Sequence, residues 1–94
     1  MNNYLLDTNI IIDLFKKNQQ AVSIIQRIQN DNLFITVITI AEFYQGVIYS
    51  TNKSKTIIAF KEFIWCFDIQ IISVDEEVAQ KYAELQGYFK KKVY

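Results

Sequence analysis

The sequence predicts an α/β fold, a small parallel sheet covered by helices, and three observations carry that expectation. Three short apolar runs read as strands: Tyr4 to Leu6, Leu33 to Thr36 and Ile69 to Val74. Each is followed by helical periodicity. The intervening 26 and 32 residues are too long for hairpins and suit parallel crossovers.

The elements can be justified in chain order. Asn9 to Lys17 reads as a first helix. A second presents Ala21, Ile24, Ile25 and Ile28 at offsets 0, 3, 4 and 7, one face of an α-helix. After the second strand, Ile40, Phe43, Tyr44 and Val47 repeat that spacing. Ser54 to Phe67 places Ile57, Phe60, Ile64 and Phe67 on one side, and Val78, Tyr82, Leu85 and Phe89 make a last stripe. No repeat, low-complexity tract or Gly/Ser/Pro linker divides the chain, so residues 1–94 form one domain. Its 94 residues are 51% hydrophobic, enough to exclude a disordered or collagen-like chain. Lys90 to Tyr94 closes on a helical pattern with no cap and no following strand. Three parallel strands also make a thin sheet with open edges. Both features read as the front part of a larger fold, a domain incomplete at its C-terminus.

Composition narrows the chemistry. Ten basic and ten acidic residues cancel, so no global positive field points to nucleic acid or membrane. With no histidine, imidazole bases, Ser-His-Asp triads and His-based zinc sites are excluded. The single cysteine, Cys66, forms no internal disulfide or Cys-rich zinc site and fits a reducing compartment. Two glycines, Gly46 and Gly87, are too few for a dinucleotide loop or P-loop. No secretory leader is legible at Met1 to Asp7, and no apolar run approaches membrane-spanning length. A cytoplasmic protein without a membrane partner is the expectation.

In open parallel sheets, ligands bind beyond the carboxyl ends of the strands. The residues there are Asp7-Thr8-Asn9, the stretch from Val37 to Glu42, and Asp75-Glu76-Glu77. Asp7 lies between an apolar strand and Ile10-Ile11-Ile12, flanked by the Thr8 hydroxyl and the Asn9 amide. It reads equally as a functional carboxylate and as a helix cap. Thr39-Ile40-Ala41-Glu42 matches a capping box, which competes with a functional role for Glu42. If Asp7 and Glu42 face one another, a divalent cation best compensates the two like charges. With no histidine or cysteine cluster, hard Mg²⁺ or Mn²⁺ is the matching ion. Asp75 reads as dipole compensation at a helix start, and Asp13 as an exposed acid or a partner of Lys16 or Lys17. Trp65 with Phe60, Phe63 and Phe67 reads as a partner surface or, for most of them, as core, with Cys66 a buried small hydrophobe among them.

Two motifs go further. Leu5-Leu6-Asp7-Thr8-Asn9-Ile10-Ile11-Ile12-Asp13-Leu14 resembles the opening of PIN-domain nucleases, particularly VapC-type toxins of bacterial toxin–antitoxin modules. Thr36-Val37-Ile38-Thr39-Ile40-Ala41-Glu42-Phe43-Tyr44-Gln45-Gly46 resembles that family's second acidic block, and Ile72-Ser73-Val74-Asp75 is a looser third match. The resemblance implies a three-layer α/β/α fold and a Mg²⁺- or Mn²⁺-dependent endoribonuclease. In it Asp7 and Glu42 are metal-holding catalytic acids, and Thr8, Asn9 and Thr39 support them. It further implies an RNA substrate, a VapB-type antitoxin and a homodimer, with Phe43, Tyr44, Val47, Tyr49 and Trp65 as candidate partner-binding residues. The family continues into a third acid on a later helix and further strands that these 94 residues do not reach. The expectation is therefore an impaired or inactive enzyme. The alternative is a non-catalytic PIN-derived module that dimerises or engages an antitoxin.

Overall fold

A computed structural model describes residues 2–73. Seven elements follow in order: β1 (Asn3–Leu5), α1 (Thr8–Phe15), α2 (Gln19–Ile28), β2 (Asn32–Thr36), α3 (Val37–Val47), α4 (Lys53–Cys66) and β3 (Gln70–Ile72). The sheet order is β1-β2-β3, with both pairs parallel. Tyr4 pairs with Leu33, and Ile35 pairs with Ile71. Both crossovers step the same way, and right-handed connections then bring all four helices to one face. Consistent with this, α1 packs on α2 and α3, and α3 packs on α4. The stripe predicted from Val78 to Phe89 and the acids Asp75 to Glu77 lie outside the described residues.

The predicted faces are the buried ones. Ala21, Ile25 and Ile28 of α2 join Leu33 and Ile35 of β2 in a single core with Leu6, Ile10 and Ile11. Between α1, α3 and α4 that core is aromatic. Phe43 stacks on Phe60 with ring centroids 4.2 Å apart, and Phe15 meets Phe43 edge-on at 5.3 Å. Phe15 also meets Phe63 at 5.9 Å, so one ring near the end of α1 touches both later helices. Such pairs add about 0.5–1.5 kcal/mol beyond the area they bury.

The helix ends are built from local chemistry. Lys17 at φ 60° and Asp68 at φ 51° are the left-handed residues that close α1 and α4. At α1, Lys17 N–H donates to Leu14 O and Asn18 N–H to Asp13 O. At α4, Asp68 N–H donates to Trp65 O and Ile69 N–H to Ile64 O. Both are Schellman closures carried by a residue other than glycine. The second explains why β3 starts at Gln70 and not at Ile69: the Ile69 amide is already committed to the helix. Asn18 then caps α2 by accepting the Ala21 N–H at 3.1 Å.

Two sequence expectations are corrected. The cap of α3 is Thr36, whose hydroxyl accepts the Thr39 N–H at 3.1 Å; Thr39 is not the cap. No loop separates β2 from α3, so the last strand residue takes the capping role. The capping box that competed for Glu42 does not form. Cys66 is exposed, not buried. Of the aromatic run, Phe60 and Phe63 are core, whereas Trp65 is 86% exposed.

Candidate functional site

The site is assembled where β1 and β2 give way to helices. Leu6 N–H donates to Phe34 O at 2.8 Å, holding the chain against β2 one residue past the end of β1. Asp7 then turns into α1 as its cap, with Oδ1 accepting the Thr8 N–H at 2.8 Å. A carboxylate has two oxygens, so capping through Oδ1 and ligation through Oδ2 are compatible. The two readings of Asp7 are not exclusive.

Thr8 makes the second connection. It is buried, and its hydroxyl donates to Oε1 of Glu42 at 3.3 Å. One residue thus binds the Asp7 carboxylate through its amide and the Glu42 carboxylate through its side chain. Glu42 itself is exposed on α3, and Asp7 is half-buried. Thr39 is buried one helical turn before Glu42 and accepts a hydrogen bond from the Thr36 hydroxyl at 3.3 Å. Asn9 is exposed on the first turn of α1. Val37 and Ile38 remain partly exposed, giving the acids an apolar border.

Hard oxygen donors suit Mg²⁺ or Mn²⁺ far better than a soft metal. Among the described residues, no three His, Cys, Asp or Glu side chains gather into a metal-holding group. What the described residues offer is two carboxylates, Asp7 and Glu42, each bonded to Thr8. A cleft of about 500 Å³ lies at the opposite, amino ends of β2 and β3, lined by Asp31, Asn32, Asp68 and Gln70 among others. It is remote in topology from Asp7 and Glu42.

The partner residues separate sharply. Phe43 and Val47 are buried in the core, so they cannot present a surface. Tyr44 is half-buried and meets Phe60 edge-on, whereas Tyr49 is 88% exposed and Trp65 equally open. A groove of about 390 Å³ between α1 and α3 is lined by Ile12, Phe15, Lys16, Phe43 and Gly46. Thr36 and Phe15 were not singled out from sequence. The threonine ending an apolar strand and the Ile11/Phe15 spacing of four were the available signals.

Comparison with known proteins decides the family: the sequence matches the PIN domain over residues 4–93. The chain belongs to the PIN domain family. Ribonuclease VapC1 of Haemophilus influenzae strains R2866 and 86-028NP is 30% identical over 90 residues, covering 94% of this chain and 66% of the relative. The chain thus spans about two thirds of the length of these curated relatives. Among solved structures, VapBC2 from Rickettsia felis, bound to a DNA fragment from its promoter, superposes with a TM-score of 0.68. That match covers 97% of this chain and 69% of the other, at 24% identity, and shows the PIN-like α/β fold. Among the described residues, no helix is long and apolar enough to cross a membrane.

Proposed function

We propose that this PIN chain is a metal-dependent endoribonuclease of the VapC toxin type, acting on RNA in the cytoplasm and restrained by a VapB-type antitoxin. The observation that carries the reading is the Thr8 bridge, which fastens both motif acids to one buried residue at the strand ends. Similarity to Ribonuclease VapC1 supports the substrate class, and similarity to the VapBC2 structure supports the antitoxin class.

In this reading Asp7 and Glu42 hold Mg²⁺ or Mn²⁺, which when bound supplies an acidified water and neutralises charge on the scissile phosphate. The chain's own residues fix the geometry. Asp7 is held by the turn into α1, and Glu42 is oriented by the Thr8 hydroxyl. Thr36 and Thr39 hold the first turn of α3, one turn before Glu42. Asn9, exposed beside Asp7, supplies an amide toward the ligand.

A second reading is a non-catalytic module that engages an antitoxin or dimerises. It is favoured by one observation: among the described residues, no three His, Cys, Asp or Glu side chains gather into a metal-holding group. Two acids hold a hydrated cation weakly. Cleavage of labelled RNA with Mn²⁺ or with chelator, by the wild type, Asp7→Asn and Glu42→Gln, separates the two. Mn²⁺-dependent cleavage lost in both variants supports the nuclease. Antitoxin co-purification with no cleavage above the chelator control supports the module.

A further inference from the structure

We infer that the apolar groove between α1 and α3 seats a base of single-stranded RNA beside the scissile phosphate, with Gly46 setting its room and Lys16 meeting a neighbouring phosphate. The inference rests on the nuclease reading for its choice of ligand and adds residues that would select that ligand. It begins with a glycine that the fold does not need. Gly46 lies inside α3, where glycine weakens a helix because the unfolded chain has more freedom to lose. Neither its backbone nor its surroundings require it: its φ is not positive, and a Cβ there would meet nothing within 4 Å. What the missing side chain does is leave bare one wall of a groove of about 390 Å³.

The groove leads away from the acids. On α1, Thr8, Ile12 and Lys16 follow at intervals of four and share one side of the helix, and on α3 Glu42 and Gly46 do the same. Thr8 is bonded to Glu42, while Ile12, Lys16 and Gly46 line the groove. Its near end is therefore the acid pair, and Lys16 stands about 12 Å from Thr8 along α1. Between those ends the walls are apolar, carrying Ile12, Phe15, Phe43 and Val47. Lys16 is the one charged residue of the lining among the described residues. The acid end, once it holds its cation, attracts a phosphate, and so does Lys16. A ligand matched to this order is anionic at both ends and flat and apolar between them. A nucleotide chain is built that way, with phosphates alternating with bases that single-strand readers seat against aromatic and apolar side chains. An amphipathic peptide helix would match the apolar middle but not two ends that both favour an anion. Bare backbone at Gly46 lets a ring lie close to α3, as glycine does wherever a ligand approaches the main chain. A side chain there would occupy the ring's place.

The test measures binding by the whole chain of a short fluorescent single-stranded RNA and of the same sugar–phosphate backbone without bases. Chelator is present, so that metal-dependent cleavage does not consume the probe. Wild type should hold the base-bearing probe about tenfold more tightly, the worth of one seated base. Gly46→Leu should erase that preference while melting no lower than wild type, a combination that damage to the fold does not produce. Lys16→Gln should weaken both probes alike and lower the salt slope by about 0.7. A wild type without the preference, or a Gly46→Leu variant that keeps it, overturns the inference. So does a Gly46→Leu variant that binds RNA as before and loses a co-purifying antitoxin, which gives the groove to a protein. Mn²⁺-dependent cleavage is the separate readout of the nuclease reading. Base preference without cleavage faults that reading and leaves the base site standing, whereas cleavage without base preference does the reverse.

Discussion

Thr8 and Glu42 stand 34 positions apart in sequence, and the hydroxyl of the first donates to Oε1 of the second at 3.3 Å. The contact crosses from the start of α1 to α3 and is the bond by which one motif acid is held to the segment carrying the other. Thr8→Val keeps the shape and removes the donor. It should cost about 1 kcal/mol, a hydrogen bond's net contribution, and lower the melting temperature by roughly 4–8 °C. In the proposed site it should also weaken Mn²⁺ binding, since Glu42 loses its orienting partner. Thermal melts with and without Mn²⁺ measure both effects.

Asp7 caps α1 and is the proposed ligand, and two substitutions separate those roles. Asp7→Asn keeps a capping side chain, whereas Asp7→Ala removes it and should cost about 1 kcal/mol in metal-free buffer. At ten times Kd, Mn²⁺ should stabilise the wild type by about 1.4 kcal/mol, and neither variant. Stabilisation that persists in Asp7→Asn would remove Asp7 from the metal site.

The closing residue of α1 predicts a gain. Lys17 occupies a left-handed conformation that costs a side-chain-bearing residue about 1 kcal/mol or more. Lys17→Gly should therefore raise stability by about 0.5–1 kcal/mol, part of the relief being offset by the freedom glycine adds to the unfolded chain. The converse applies inside α3, where a Cβ on Gly46 would meet nothing within 4 Å. Gly46→Ala should stabilise by about 0.5–1 kcal/mol. Denaturant midpoints of the two variants check both signs.

Along α4, two aromatic residues five positions apart should behave as opposites. Phe60 is fully buried and stacked on Phe43, so Phe60→Ala should cost about 3–5 kcal/mol. Trp65→Ala should change monomer stability by less than about 0.5 kcal/mol. Urea unfolding of the two variants compares them directly.

What could be read from sequence was what periodicity controls. The alternation of apolar runs with helical stripes prescribed a parallel sheet, and the face Ala21, Ile25 and Ile28 is buried as its spacing requires. Strand ends and motif order single out Asp7 and Glu42, and the structure bonds both carboxylates to Thr8. The errors share a cause: proximity in sequence was weighed above the angle around a helix. Cys66 lies within an uninterrupted apolar run from Phe63 to Phe67, yet a helix distributes such a run around its whole circumference, and this residue falls outward. Phe43 and Val47 were assigned a partner surface although their stripe is the one that α3 turns toward the core. The Thr36 cap escaped because a strand residue was not expected to serve a helix that begins at the very next position.

That direct passage from β2 into α3 makes the two elements a single mechanical piece. Thr36 is at once the last rung of the sheet and the first constraint on the helix. With no slack between them, inserting one residue at this joint would turn everything after it by about 100° around the helix axis. Glu42 would swing away from Thr8, and Phe43 would leave its stack on Phe60. The junction is therefore where length is least negotiable, and an evolutionary or engineered insertion belongs at the tip between α3 and α4 instead, around Ser50 to Asn52.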